Sequence, residues 1–360
     1  MNMKPFLILP RPHKPEFSRE MTDCLKGICL ILMFVHHFFQ FPQYYIEGIS
    51  YPSIDGFEKY QGHFQICVAG FAFLTGYFYA FSKRQTFGYS IQKILGLYIG
   101  YWVVLVFAAC IALITNTFDL PLGEFVLEIL AIKYRFLCFC WYVLFYLLAM
   151  FYLPLIVQIA KGNLLFWLLL GFFIPIGTYM VLGKYFPPLE KFQVYFPILL
   201  GGVLSGRYSL FSRLDSQMTK YVKGQFWLVA IVWMVVVLIV FFEPGWLYYG
   251  PHNLIFNMIR KIIRIASIPL FIYGLLKLLE MVKWNNALFP LQTIGKYSML
   301  MWFIHGIFFN VSKTITQPIL FWPKHPILVT MWGLTLCLLL VWLLNWPVKW
   351  TTGKINSLFK

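Results

Sequence analysis

Long apolar stretches separated by short polar segments dominate the chain. A helix rises about 1.5 Å per residue, so about 20 apolar residues cross the roughly 30 Å hydrocarbon core of a bilayer. The pattern predicts an all-α integral membrane protein of about ten transmembrane helices, with approximate bounds 23–41, 63–82, 92–115, 141–160, 163–182, 192–208, 225–243, 258–280, 293–311 and 326–346. We therefore divide the chain into an N-terminal segment 1–22, a transmembrane domain 23–350 and a C-terminal tail 351–360.

The composition agrees with a chain whose main solvent is lipid. Hydrophobic residues make up 60% of it and charged residues only 12%, whereas a water-soluble domain is about one-quarter charged. The first twenty residues lack the apolar region and the small-residue cleavage site of a signal peptide, so we expect the first span to be retained. The seven cysteines form no CxxC pair, and we interpret them as packing residues that bind no metal.

The basic residues predict the orientation of the chain. A formal net charge of +16 could suggest nucleic acid, but a nucleic-acid binder clusters its basic residues, and these are scattered between apolar runs. With the N-terminus in the cytoplasm, the inner segments hold 19 of the 29 Lys and Arg, the outer segments hold 7, and 3 lie inside the eighth span. The positive-inside rule therefore places both termini in the cytoplasm. The two longest outer connections, 47–60 and 117–140, are candidate lids over an outward-facing site.

The first predicted span carries the most informative ionisable residues. Such residues are costly within hydrocarbon and by default mark a functional site. Eleven residues are about three helical turns, so Lys26 and His37 share a face about 16 Å apart, while His36 points about 100° away. A neutral imidazole at that depth can accept a proton. We expect His37 to be the general base and His36 to be the second candidate; the alternative is that they only hydrogen-bond a neighbouring helix.

The ninth predicted span carries another histidine, His305, at a similar depth, about 13 Å beyond Lys296. Trp302 lies on the same helical face. His305 is either a structural hydrogen-bonding residue or a third member of the site. No Asp or Glu lies deep inside any predicted span, which counts against an ion-coupled transporter. A polysaccharide exporter or another carrier without chemistry remains the alternative to an enzyme.

Basic residues at or near the ends of the predicted spans suggest two binding regions. Near the predicted cytoplasmic surface, a phosphate-bearing donor could be held by Lys83, Arg84, Lys93 and Arg207, unless these residues only set the topology. Near the outer end of the eighth span, Arg260 and Arg264 are four residues apart and share a face. We group them with Trp302 as candidate acceptor-binding residues; the alternative is that the two arginines reach lipid phosphates.

Two motifs resemble those of a known family. The run from Asp23 to His37 is similar to the first helix of the acyltransferase-3 family, whose pattern is a basic residue, ten intervening residues and a histidine. Lys26 replaces the more common Arg, as in the branch that resembles fucose O-acetylases. The run Gln65–Tyr77 resembles the family's Phe-rich stretch ending in Ser-Gly-Tyr, with Thr75 in place of Ser. Supporting features are Trp141-Tyr142 with Pro154, Tyr195-Phe-Pro197, Gly201-Gly202 and the run from Ser298 to His305.

The resemblance implies an enzyme of the cell membrane. It implies transfer of an acyl group, usually acetyl, from cytoplasmic acyl-CoA to a hydroxyl of a cell-surface or lipid-linked carbohydrate, without a metal. The implied partners are membrane lipid, acetyl-CoA or another acyl-CoA as donor, and the carbohydrate acceptor. Both a direct transfer and a route through an acyl-enzyme are compatible with the sequence.

Overall fold

All regular structure in the described part of the chain is helical. The structure, a computed structural model, describes residues 10, 14–41, 44–49, 66–82, 85–222, 231, 233–234, 254–282 and 285–357. The helices are α1 (Arg19–Gln40), α2 (Ile66–Ala80), α3 (Phe87–Ile114), α4 (Leu122–Ile129), α5 (Tyr142–Ala160), α6 (Leu164–Leu168), a π-helical turn (Leu169–Phe173), α7 (Ile174–Leu182), α8 (Leu189–Arg207), α9 (Leu210–Val222), α10 (Leu254–Met281), α11 (Asn285–Lys296), α12 (Ser298–His305), α13 (Ile307–Asn310), α14 (Lys313–Phe321) and α15 (Pro326–Ser357).

The helices confirm an all-α protein with several membrane-spanning segments. Nine of the ten predicted stretches overlap these helices, and the seventh, 225–243, lies almost wholly outside the described residues. Five helical segments in the described part are long and apolar enough to cross a membrane: Arg19–Phe39, Phe87–Ile114, Tyr142–Ala160, Leu164–Leu182 and Pro326–Ser357. A sixth exists if α8 and the start of α9, which meet at a 65° bend, form one broken span. The count of about ten spans stays a prediction.

The ninth predicted span differs from expectation because it is not one continuous helix. The chain there forms α11, α12 and α13, interrupted at Tyr297 and at Gly306. Gly306 lies where the backbone of Cys138 approaches so closely that a Cβ atom would be only 2.7 Å from the Cys138 carbonyl oxygen. The helix is therefore interrupted where a connecting segment reaches the end of α12.

The described residues fall into two compact units built from interleaved parts of the chain. The first comprises residues 1–29, 65–85 and 155–295. In it α2 lies along α8, and α10 packs against both helices. Gly76 of α2 and Gly202 of α8 lie at this contact, where a Cβ atom would overlap the carbonyl oxygen of Leu199 or of Phe73 respectively. Small residues let membrane helices approach closely, so both glycines of the resemblance motifs have a packing role here.

The second unit comprises residues 30–64, 86–154 and 296–360. Its centre is formed by α3, α12 and α15, which pack against one another. The α3–α5 connection, residues 115–141, contains α4 and folds back on α3. There Tyr98, Tyr101 and Trp102 donate hydrogen bonds to the carbonyl oxygens of Leu130, Glu128 and Ile129, at 3.0, 2.7 and 2.8 Å. These bonds satisfy the end of α4, so the connection predicted as a lid is an ordered part of this unit.

Candidate active site

Two histidines that are 268 residues apart in sequence meet inside the second unit. Nδ1 of His37, on α1, lies 2.8 Å from Nε2 of His305, on α12. The imidazole planes are within 9° of each other. His37 is 5% exposed and His305 is fully buried, so bulk water is excluded from the hydrogen bond between them. Helices α1 and α12, which carry these two histidines, are therefore brought together at one point.

The contact of His305 with the Trp302 backbone determines the tautomers of both histidines when they are neutral. Nδ1 of His305 contacts the carbonyl oxygen of Trp302, which can only accept. His305 must therefore donate from Nδ1, which leaves its Nε2 as an acceptor for the Nδ1 proton of His37. The Nε2 atom of His37 then carries a lone pair and is the basic end of the pair. Its ring forms no other hydrogen bond within the described residues.

Aromatic rings enclose the pair. Phe139 stacks on His37 with 3.9 Å between ring centroids and 14° between planes. Phe34 and Phe309 flank His305, with centroids 5.4 and 6.0 Å away. Low-dielectric walls of this kind strengthen electrostatic interactions within a site.

Phe139 adopts an unusual backbone conformation to reach His37. Its φ angle is +68°, a left-handed value that is rare for bulky residues and is found where surrounding contacts enforce it. The indole Nε1 of Trp302 donates to the Phe139 carbonyl oxygen at 3.2 Å, and the Trp302 ring packs on Tyr142 with 4.8 Å between centroids. Trp302, which we predicted to bind substrate, thus holds both His305, through its carbonyl oxygen, and Phe139, through its indole.

His36 is also buried, at 4% exposed. Its ring centroid is 5.2 Å from that of His37, and it meets the edge of Phe41 at 5.5 Å. The bond to His305 belongs to His37, and the ranking of the two histidines as general base stays a prediction.

A buried amide holds the segment that follows α1. Gln317 on α14 is fully buried. Its Oε1 accepts from the Ile46 backbone N–H at 2.9 Å, and its Nε2 donates to the Tyr44 carbonyl oxygen at 2.8 Å. The Tyr44 ring contacts Phe139 edge-on at 5.6 Å. Gln317 thereby fixes one side of the aromatic enclosure.

Burial disfavours the thiolate form of Cys138, the residue before Phe139. It raises the pKa of the Cys138 thiol to about 12, against an opposing effect of the Lys313 ammonium. The thiolate is the nucleophilic form of cysteine, and at pH 7 almost none is present. Burial likewise raises the pKa of Cys140 well above its usual value.

The other predicted site residues whose side chains are described have other contacts than the histidine pair. Lys26 lies in the first unit and forms an ion pair with Asp23 at 3.2 Å. Arg207, in the same unit, donates to Gln85 Oε1 at 2.8 Å and covers the Trp167 ring at 5.2 Å. Lys93 lies in the second unit, exposed, with its ammonium 5.3 Å from the Tyr89 ring centroid.

Lys83 and Arg84 lie outside the described residues. Arg260 and Arg264 lie on α10, but their side chains are not among those described. The donor-binding role of the first pair and the acceptor-binding role of the second stay predictions.

Sequence reasoning missed Phe139 and Gln317. Phe139 lies in a connection without periodic pattern, and its only signal is its place just before the Trp141-Tyr142 motif. Gln317 was detectable in principle, because it and Thr316 are the polar residues of the otherwise apolar run Ile315–Trp322.

Comparison with known proteins identifies a family whose model matches most of the chain. No curated protein and no solved structure gives a significant match. The model of the acyltransferase-3 family, described as an acyltransferase domain, matches residues 22–346. That range includes both histidines of the buried pair and Phe139. The chain therefore belongs to the acyltransferase-3 family and is a multi-pass membrane acyltransferase.

Proposed function

We propose that the protein is an O-acyltransferase of the cell membrane. It transfers an acyl group, in our proposal acetyl, from cytoplasmic acyl-CoA to a hydroxyl of a cell-surface or lipid-linked carbohydrate. We retain about ten spans with both termini in the cytoplasm. The observation that carries the proposal is the buried hydrogen bond between His37 and His305 in a member of an acyltransferase family.

His37 is the general base in this proposal. Its Nε2 takes the proton of the acceptor hydroxyl while that oxygen attacks the carbonyl carbon of the thioester. The C–S bond then breaks, and the departing sulfur takes the proton back from His37. During the step the His37 imidazolium donates from Nδ1 to His305 Nε2, and His305 in turn donates from its Nδ1 to the Trp302 carbonyl oxygen. His305 acts as a positioning residue, since it fixes the tautomer and the orientation of the base.

Direct transfer is favoured over an acyl-cysteine route. Cys138 is the cysteine next to Phe139, and its raised pKa keeps it a neutral thiol. Its Sγ is also contacted by the Asn310 amide at 2.7 Å. A sugar hydroxyl activated by His37 needs no such intermediate.

The phosphates of the donor are assigned to basic residues on the predicted cytoplasmic side. Arg207 has its guanidinium placed by Gln85 and Trp167, which suits it to bidentate contacts with phosphate oxygens. Lys83, Arg84 and Lys93 are the other candidates. Charge-removing variants of these residues should raise the KM for acyl-CoA more than they lower kcat.

Reconstitution tests the proposal. The purified protein in proteoliposomes is given radiolabelled acetyl-CoA and surface glycan extracted from cells that lack the protein, and label on the glycan is measured. Wild type should label the glycan, and His37→Ala should lose at least about a hundredfold in turnover. His325→Ala is the matched control, because His325 is an exposed histidine of the same unit outside the pair. Glycan movement without thioester consumption would instead identify a carrier.

A further inference from the structure

The α3–α5 connection, Asn310 and the start of α14 line a cavity that opens to the surface outside the histidine pair. Its volume is about 140 Å³, whereas a site for one water molecule needs roughly 10–15 Å³. Its lining consists of Asp119, Leu120, Arg135, Phe136, Asn310 and Lys313. We call it the Arg135–Lys313 cavity.

Among the described residues, the charged groups that line this cavity are two cations, Arg135 and Lys313, and one carboxylate, Asp119. Behind the lining, Glu124 pairs with Lys133 and Arg135, and the buried Glu128 accepts from the Phe136 backbone N–H at 2.9 Å. Glu124 is engaged mainly by Lys133, at 2.9 Å, and this hydrogen bond lowers the pKa of the Glu124 carboxyl. The contacts of Arg135 with Asp119 and Glu124 are longer, 3.4 Å each.

Lys313 forms no ion pair within the described part of the chain, although it is only partly exposed. It is also the first residue of α14, where the helix dipole disfavours a cation. Hydrogen bonds of Ser312 with Thr115 and Thr117, at 2.6 and 2.9 Å, fix the backbone just before it. Lys313 is therefore an ammonium at the cavity that pairs with no carboxylate of the described residues, next to an arginine with weak partners.

Two of the segments that line the cavity are close in sequence to residues of the histidine site. Phe139, which stacks on His37, follows Phe136 by three residues, a reach of at most about 11 Å. Asn310 follows His305 by five residues and donates to the Arg135 carbonyl oxygen. A ligand in the cavity is thus close to the base along both elements.

We propose that the Arg135–Lys313 cavity binds the carboxylate of an acidic sugar residue in the acceptor glycan. This inference rests on the proposed O-acyltransferase function and narrows its acceptor to acidic glycans. Lys313 supplies the unpaired charge, and Arg135 exchanges its weak contact with Asp119 for a paired contact with the sugar carboxylate. The Asn310 side chain is already bonded to the Arg135 carbonyl and to Cys138, so it shapes the cavity and leaves the charge to the two cations.

Binding of D-glucuronate to the purified protein in nanodiscs, without acyl-CoA, tests the cavity by saturation-transfer NMR. D-Glucose is the neutral comparison and inorganic phosphate the competing anion. Lys313→Gln and Arg135→Gln should each weaken glucuronate binding about tenfold, the lower end for a charge-assisted hydrogen bond. Asp119→Asn should strengthen binding severalfold, because it removes the competing carboxylate. Lys324→Gln is the matched control and should bind as wild type does, because Lys324 is an exposed lysine of the same unit outside the cavity lining.

Several results would overturn the inference: no glucuronate binding by the wild type, unchanged binding by Lys313→Gln, weaker binding by Asp119→Asn, or a preference for phosphate or glucose. The opposite signs expected for Lys313→Gln and Asp119→Asn separate a binding effect from misfolding.

Transfer measurements separate this inference from the proposed function. The KM of Lys313→Gln for an oligosaccharide containing uronic acid should rise at least about fivefold, with an unchanged KM for acetyl-CoA and for the carboxyl-reduced oligosaccharide. His37→Ala should retain glucuronate binding while losing transfer. Equal KM changes for the acidic and the reduced oligosaccharide would refute the carboxylate site alone. Absence of transfer by the wild type to either would refute the enzyme function and leave the binding result standing.

Discussion

Replacing His305 by leucine tests whether the histidine pair works as a unit. Leucine fills a similar space but accepts no hydrogen bond, so Nδ1 of His37 loses the partner that now lies 2.8 Å away. Without that partner the neutral His37 ring is free to carry its proton on either nitrogen. The imidazolium formed during transfer also loses its only acceptor within the described residues.

The expected loss follows from the type of hydrogen bond. A hydrogen bond to a charged group contributes about 1.5–3 kcal/mol, and each 1.36 kcal/mol is a factor of ten in rate. His305→Leu should therefore lower kcat by about 10- to 150-fold. His37→Ala, which removes the base, should lose about 10²- to 10⁴-fold. The KM for acyl-CoA should change little in either variant, since the pair acts on the reacting atoms.

The assay is steady-state acyl transfer in proteoliposomes at equal amounts of folded protein. His305→Gln is the decisive companion, because its Oε1 can accept from His37 Nδ1 as the imidazole does. It should recover a clear part of the lost turnover. Normal turnover by His305→Leu would refute the reasoning, and equal losses in the Leu and Gln variants would show that the shape of His305 matters instead of its acceptor atom.

Three further variants test the structure around the site. Gln317→Leu should lower the free energy of unfolding by about 2 kcal/mol, since it leaves partly buried backbone groups of Tyr44 and Ile46 without this partner; an unchanged melting temperature would contradict this. Burial raises the pKa of Glu128, because it penalises the charged carboxylate in the folded state. Glu128→Gln should therefore have a higher melting temperature than wild type at pH 7–8, and the difference should close as the pH falls to about 4.5, the ordinary pKa of a glutamate. A difference in melting temperature that does not depend on pH would refute this. Gly202→Ile should abolish accumulation of folded protein because its side chain would overlap the α2 backbone, whereas Gly96→Ala, in open space, should accumulate normally in fluorescence-detected size exclusion.

The helical architecture was accessible from sequence because hydrocarbon imposes a length and a composition on each span. The depths of His37 and His305 followed from the helical rise, and the structure brings both side chains together. The contact itself was not predictable, because no sequence pattern says which helices become neighbours over 268 residues. The break at Gly306 depends on the approach of Cys138, a tertiary contact that an apolar run does not reveal.

The choice of a second histidine as partner for the base has a physical reason in this environment. An orienting carboxylate would do the same work, but burying its charge among Phe34, Phe139 and Phe309 would cost far more than burying a neutral imidazole. His305 accepts one proton bond and donates another to a backbone carbonyl, so it orients His37 without bringing a net charge into the site. This accounts for the absence of Asp and Glu from the depth of the predicted spans in an enzyme that still needs an oriented base. In our proposal the charges that select the acceptor lie instead in the Arg135–Lys313 cavity, where the side chains of Arg135 and Asp119 are exposed to water.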